Sequence, residues 1–208
     1  MATHPDRLAT SAVVLAGGQS RRLGRDKAVE VIGGQPLIRR VIDRVGLLSD
    51  EVVVVVADQA RGDALPLSQQ HRLVLDSYPG TGSLGGIFSG LQAARNQWVV
   101  AVACDMPFLN LDLLRRMMSL RQNVDAVVPV VEGRPEPTHA LYSKDCLPSI
   151  ESRLLAGELK ISGFFEEVKV NYLSESEIAA FDPEYLSFFN VNTPGDLDKA
   201  QALVAQGR

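Results

Sequence analysis

LAGGQSRRLGRDK, Leu15 to Lys27, comes directly after an apolar run, Ser11 to Val14, that ends in two valines. The run reads as a buried strand. Glycines at 17, 18 and 24 then break regular structure, and Arg21, Arg22, Arg25 and Lys27 crowd the same turn. A strand that empties into a glycine-rich, cationic loop is a device of α/β proteins for holding phosphate. Glycine lets backbone N–H groups approach an anion, and the cations neutralise it. The spacing fits neither common phosphate loop. The dinucleotide pattern G-x-G-x-x-G fails because Gly17 and Gly18 are adjacent, and the P-loop pattern fails because Arg25-Asp26 follow Gly24. A basic surface loop would carry the glycines equally well. Four cations within seven residues, on a chain of net charge -4, favour an anion among them.

Outward from this loop, apolar runs of strand length alternate with helical patterns. Glu51–Ala57, Leu73–Asp76, Trp98–Cys104, Asp125–Val131, His139–Tyr142 and Val168–Leu173 read as strands. Pro36–Leu48, Leu84–Asn96, Leu111–Leu120, Asp145–Leu155, Ser162–Glu167 and Pro194–Ala205 read as helices. The alternation predicts a three-layer α/β/α sandwich around a mostly parallel sheet, with a Rossmann-like layout. The polar turn EGRPEPT before His139 predicts one antiparallel strand. With 208 residues and no linker or repeat, residues 1–208 are expected to form one domain.

Composition narrows the partners. A pI near 5.4 argues against nucleic acid and anionic membranes, and suits a small anionic ligand. Neither Cys104 nor Cys146 sits in a C-x-x-C pair, and Cys104 reads as a small buried residue. No apolar stretch is long enough to span a membrane and the N-terminus has no signal-like core, so a cytoplasmic enzyme is expected.

In α/β folds the ligand sits beyond the carboxyl ends of the strands. Asp76 and Asp105 fall there. Asp105, in Cys104-Asp105-Met106-Pro107, suits Mg²⁺, which takes one or two carboxylates and completes its shell with phosphate oxygens and water. The alternative is a turn opener ahead of X-Pro; beside the phosphate loop, the metal reading leads. Gly80–Gly86 could touch a base or ribose edge closely, or simply let a helix pack tightly on the sheet. Thr193 reads as a helix N-cap with Pro194 in the first turn, and Asn190 and Asn192 precede it. His139 reads as structural or exposed. No Ser-His-Asp or Cys-His set can be assembled.

These residues together resemble the molybdenum cofactor guanylyltransferase (MobA-like) family of nucleotidyltransferases. The loop is similar to the family's LAGG-x-S-x-R-M-G-x-D-K, with Leu23 in place of Met. Asp76 and Gly82-Ser83-Leu84-Gly85-Gly86 resemble its acidic residue and G-P-L-A-G, with Ser83 for Pro and Gly85 for Ala. C-D-x-P matches Cys104–Pro107, and N-V-N-T-P matches Asn190–Pro194. The resemblance implies that Leu15, Ala16 and Gly17 line a guanine and ribose site. It places Gly18, Lys27 and Arg22 at the triphosphate, with Lys27, Arg22 and Asp105 as the catalytic set. Asp76 would place the nucleoside, Asp105 would bind Mg²⁺, and Asn190 and Asn192 would contact a pterin. Some members carry Asn where this chain has Ala57, which leaves that contact missing or passes it to Asp58 or Gln59.

The activity so implied is transfer of GMP from GTP to molybdopterin, with release of pyrophosphate. Cofactor-delivery or molybdoenzyme chaperone proteins are the further partners it suggests. The nearest rivals are a CTP-dependent enzyme of the same fold, whose relatives carry LAAG, and a transferase acting on a sugar phosphate. A nucleotide-binding regulatory protein without catalysis is the rival from another class.

Overall fold

The structure is a computed structural model and describes residues 9–18, 26–68 and 71–208. In chain order it runs β1 (Thr10–Leu15), the two-residue strands β2 (Val31–Ile32) and β3 (Gln35–Pro36), and α1 (Leu37–Val45). Next come β4 (Glu51–Val56), α2 (Gln59–Asp63), β5 (Arg72–Leu75), α3 (Ser83–Ala93) and β6 (Trp98–Ala103). Then follow α4 (Leu111–Ser119), β7 (Ala126–Val131), β8 (Arg134–Pro135), β9 (His139–Ser143) and α5 (Leu147–Ala156). β10 (Val170–Leu173), α6 (Glu175–Ala179) and α7 (Pro194–Ala205) complete it.

The main sheet has the order β10-β7-β9-β6-β1-β4-β5, with β8 hydrogen-bonded to β7. β1 pairs in parallel with β4 and β6, β4 with β5, and β7 with β10. β9 alone in that order runs against both its neighbours. The expected mostly parallel sheet is therefore present, with two reversed strands, β9 and the two-residue β8, where one was expected.

Strand periodicity explains the layers. Successive side chains point to opposite faces. From β1, Ala12 and Val14 enter one core with α1, α4 and Ile178 of α6, and Val13 enters the other with α3 and α5. Both faces are covered, so β1, β4 and β6 read as continuous apolar runs rather than alternating ones. α3 forms despite its glycines, two of which, Gly86 and Gly90, face the sheet. A Cβ at Gly86 would stand 3.1 Å from Leu15 Cδ2, and one at Gly90 would stand 2.8 Å from Val13 Cγ2. Each glycine costs about 1 kcal/mol of helix propensity relative to alanine, and in exchange the helix axis approaches β1 closely.

Some short elements differ from the sequence reading. Ser162–Glu167 is a 3₁₀ stretch, Ile161–Glu166, and the last strand starts at Val170 rather than Val168. β2 and β3, α2, β8 and α6 were not anticipated. Elements of two to five residues have too few positions to show a period.

His139 is a core residue. Its ring is fully buried on Phe188, with centroids 4.8 Å apart, and neither ring nitrogen has a partner among the described residues. Burial pushes its pKa down to about 4. The unfolded chain takes up this proton near pH ~6.5, so the folded-state value is the depressed one. The stability this neutral imidazole brings is complete above that pH and is lost as pH falls toward 4. The loss amounts to about 3 kcal/mol. His139→Leu should flatten the denaturation midpoint across this range, and parallel pH profiles for the two proteins would sink the assignment.

Candidate active site

A cavity of about 690 Å³ opens beyond the carboxyl ends of β1, β4, β5 and β6. Parallel strands deliver those ends to one edge of the sheet, which is where such folds bind ligands. Its wall takes Leu15 at the end of β1, Gly17 and Gly18 just beyond it, Ala57 after β4, Asp76 after β5, and Cys104 and Asp105 after β6. Gly82 and Ser83, at the start of α3, and Asn190 and Asn192, before α7, complete the ring with Lys27. Of the residues singled out in the sequence, Ala16 is not brought to this wall. Its side chain is buried in the core with α1, because it takes the position on β1's extension that faces away. Arg22 lies outside the described residues.

Lys27 and Asp105 meet although 78 positions separate them. Asp26 caps a 3₁₀ turn, Lys27–Val29, by accepting from the Ala28 N–H at 3.0 Å. That turn sends Lys27 across the cavity, where Nζ forms an ion pair with Asp105 and donates to Asn192 Oδ1 at 3.1 Å. Asp105 is only 6% exposed. Among the described residues no backbone N–H donates to its carboxylate, so a turn-opening role does not account for the side chain. Its own carbonyl accepts from Val191 N at 3.0 Å, which lays the Asn190–Asn192 segment beside it. Thr193 caps α7 as expected, in a capping box with Asp196. Next door, burial and then the Asp105 charge push the Cys104 thiol up to about 12. It stays protonated at neutral pH and is no nucleophile.

Asp76 is oriented by its own loop. Oδ1 accepts from Tyr78 N at 3.0 Å and from Ser89 Oγ at 2.9 Å, while Ser89 Oγ accepts from Ser77 N at 2.8 Å. Thr81 donates to the Tyr78 carbonyl at 2.6 Å and closes the turn. Gly85 is what lets this turn lie on α3. A Cβ there would stand 2.9 Å from the Tyr78 carbonyl oxygen and 3.0 Å from Asp76 Oδ1. Gly82, at φ +69°, starts α3 with no side-chain cap, so the first-turn N–H groups are left to the cavity.

The position after β4 also resolves. Asp58 caps α2 through Arg61 N at 2.8 Å, and Gln59 donates to Asp63 at 2.7 Å. Both are engaged within α2, and neither lines the cavity. Ala57 therefore presents only its methyl group and backbone there. A Cβ on Gly17 would meet Ala57 N at 3.4 Å, an ordinary contact, and Gly17 is not among the glycines of positive φ.

Three contributors were not found from sequence. Ser89 lies in an apolar helix, where nothing local signals its bond to Asp76. Thr138 reaches the wall because β9 runs backwards, and its carbonyl accepts from Ala103 N at 3.0 Å. Arg61 of α2 pairs with Asp26 and donates to the Ala16 carbonyl at 3.0 Å. No spacing rule links a residue on α2 to a loop more than thirty positions upstream.

Comparison with known proteins gives a consistent answer. Residues 12–170 match the MobA-like NTP transferase domain. A probable molybdenum cofactor guanylyltransferase of Pelotomaculum thermopropionicum is 38% identical over 201 residues, covering 97% of this chain and 96% of the relative. The molybdenum cofactor guanylyltransferase of Desulfosudis oleivorans is 35% identical over 202 residues, covering 96% and 98%. The crystal structure of molybdopterin-guanine dinucleotide biosynthesis protein A from Archaeoglobus fulgidus superposes with a TM-score of 0.83 at 30% identity, covering 94% of this chain and 99% of that one. With the Lys27–Asp105 ion pair on the wall of a glycine-lined cavity, and with likeness over nearly its whole length, this chain belongs to the MobA-like NTP transferase family.

Proposed function

We propose that the protein transfers GMP from GTP to molybdopterin, releasing pyrophosphate and forming the guanine dinucleotide form of the cofactor. The observation that carries this is the Lys27–Asp105 pair facing Gly17 and Gly18 across a cavity large enough for a nucleotide. The names of the relatives supply the guanine and the pterin. An oxygen of the molybdopterin terminal phosphate bonds to the α-phosphorus of GTP. The bond from that phosphorus to the bridging oxygen breaks, and pyrophosphate leaves with the electron pair. No protein nucleophile is required, only alignment and neutralisation of charge.

Lys27 is placed to take the charge that grows on the leaving pyrophosphate. The N–H groups of Gly17 and Gly18 serve the phosphates, and Asp76 holds the nucleoside through its Oδ2 side. Asn190 and Asn192 lie toward the acceptor. Among the described residues no cluster of three or more acidic, His or Cys side chains forms a metal cage. A lone carboxylate at Asp105 fits Mg²⁺ arriving with the nucleotide, since that ion keeps phosphate oxygens and water in its shell. Bound there, Mg²⁺ would polarise the phosphorus and screen the phosphates. Among the described residues no helix is long and apolar enough to cross a membrane. Hand-over to a cofactor-delivery or molybdoenzyme chaperone protein would follow.

The test is incubation with each nucleoside triphosphate, Mg²⁺ and molybdopterin-loaded protein, with mass detection of the product. A guanine dinucleotide from GTP supports the reading; a cytosine dinucleotide alone overturns it in favour of the CTP-dependent rival. Gly17→Ala bears on the same choice. The contact distances leave room for the methyl group without backbone strain, so the loop survives. If Gly17 lies against the base, the methyl crowds a purine more than a pyrimidine. One methyl group is worth about 1–3 kcal/mol of discrimination, so the GTP-to-CTP efficiency ratio should fall roughly tenfold or more. An unchanged ratio would show that Gly17 does not read the base.

A further inference from the structure

One side chain holds both stems of the glycine-rich loop. Arg61 Nε donates to the Ala16 carbonyl at 3.0 Å, and Nη1 forms an ion pair with Asp26. Ala16 immediately precedes Gly17-Gly18, and Asp26 immediately precedes Lys27. The guanidinium is poorly exposed, and its Nη2 is buried with no partner among the described residues. Burying a cation in this way carries a desolvation cost that a surface pair would avoid. The arrangement therefore asks for a reason beyond stability.

The geometry supplies one. A trans peptide holds its N–H opposite its C=O. With the Ala16 carbonyl turned to Arg61, the Gly17 N–H is turned to the other side, where Gly17 lines the cavity. The preceding peptide is fixed at both its groups, Ala16 N–H on the Val55 carbonyl at 2.8 Å and the Leu15 carbonyl on Cys104 N at 3.1 Å, so the bond from Arg61 is what sets the roll of the Ala16–Gly17 peptide. At the other stem, Asp26 caps the turn that launches Lys27 through Oδ1, and Arg61 takes Oδ2. A planar guanidinium binds both partners in one rigid frame, which an ammonium on a flexible stem cannot do.

We propose that Arg61 is a positioning residue for nucleotidyl transfer: it fixes the loop amides and Lys27 relative to one another, so that both meet the same triphosphate. It does not touch the substrate, and it is absent from the cavity wall. The inference rests on the proposed nucleotidyl transfer. It predicts that Arg61→Lys, which keeps the charge and loses the fork, lowers kcat for GTP-dependent pyrophosphate release about a hundredfold, the scale of a misplacement of about 1 Å. KM for GTP should change only a few-fold, since bound substrate survives a loosened loop better than the transition state does. Asp26→Asn should show the same pattern. The double variant should be no slower than the slower single one, because both changes open one clamp.

Melting temperature and circular dichroism are recorded alongside. An Arg61→Lys protein with wild-type kcat overturns the proposal and leaves the transferase reading standing. So does a rate loss that vanishes at a temperature where variant and wild type are equally folded. A wild type that turns over no nucleotide removes both. Loss of kcat in a fully folded variant, shared non-additively with Asp26→Asn, supports it.

Discussion

Asp105→Asn should abolish turnover while the fold stays intact. The amide is nearly the shape of the carboxylate, and the Val191 N–H bonds the Asp105 backbone carbonyl, which the substitution leaves in place. What disappears is the charge. Mg²⁺ favours a charged oxygen, so the neutral side chain holds it poorly, and the rate should fall on the order of a hundredfold or more. The structure adds a second reading of the same variant. Asp105 now holds Lys27; without that carboxylate the ammonium is released toward the phosphates. GTP binding measured without Mg²⁺ should therefore be kept or tightened while transfer is lost. Near wild-type rates at ordinary Mg²⁺ would return Asp105 to the status of a turn residue.

Lys27→Ala should lower kcat by about two to three orders of magnitude and raise KM for GTP only several-fold. Lys27 must leave Asp105 and Asn192 to meet a triphosphate. Its attraction for the ground state is offset by the contacts it gives up. Charge growing on the leaving pyrophosphate tips the balance in the transition state, and only that difference accelerates the reaction. The variant also leaves Asp105, buried at 6% exposure, without its cation. Added Mg²⁺ should then raise the melting temperature of Lys27→Ala more than that of the wild type. A rise in KM with an unchanged kcat would make Lys27 a ground-state binder and remove its catalytic role.

The strands were legible because they rest on local pattern. Val13-Val14 and Val52 to Val56 announce buried strands, and the glycines and cations after Leu15 announce an anion site. Asp76 and Asp105 were legible once the strand ends were known, since a parallel sheet gathers those ends at one edge; Asn190 and Asn192, which end no strand, were found through the resemblance of Asn190–Pro194 to N-V-N-T-P. The ion pair between Lys27 and Asp105 was not legible, because it depends on the angle at which a 3₁₀ turn leaves Asp26. Ala16 was misplaced onto the cavity wall for want of one fact, the face its position takes after β1. The β2–β3 hairpin was missed although Gly33-Gly34, at φ +57° and +79°, is the signal of a tight primed turn. His139 could not be assigned from its neighbours in sequence, because burial on Phe188 is a contact across forty-nine positions.

β9 runs against both its neighbours, and that reversal divides the labour of the rim. The parallel strands reach the cavity through crossovers, whose helices are packed into the cores and cannot lengthen without moving. The 132–138 connection is a hairpin, and it ends at Thr138, on the wall. Such a segment can grow or shrink at little thermodynamic cost, about 0.6 kcal/mol for each doubling of its length. It is therefore the stretch of the rim that can change length while the carboxyl ends of β1, β4, β5 and β6 keep their places.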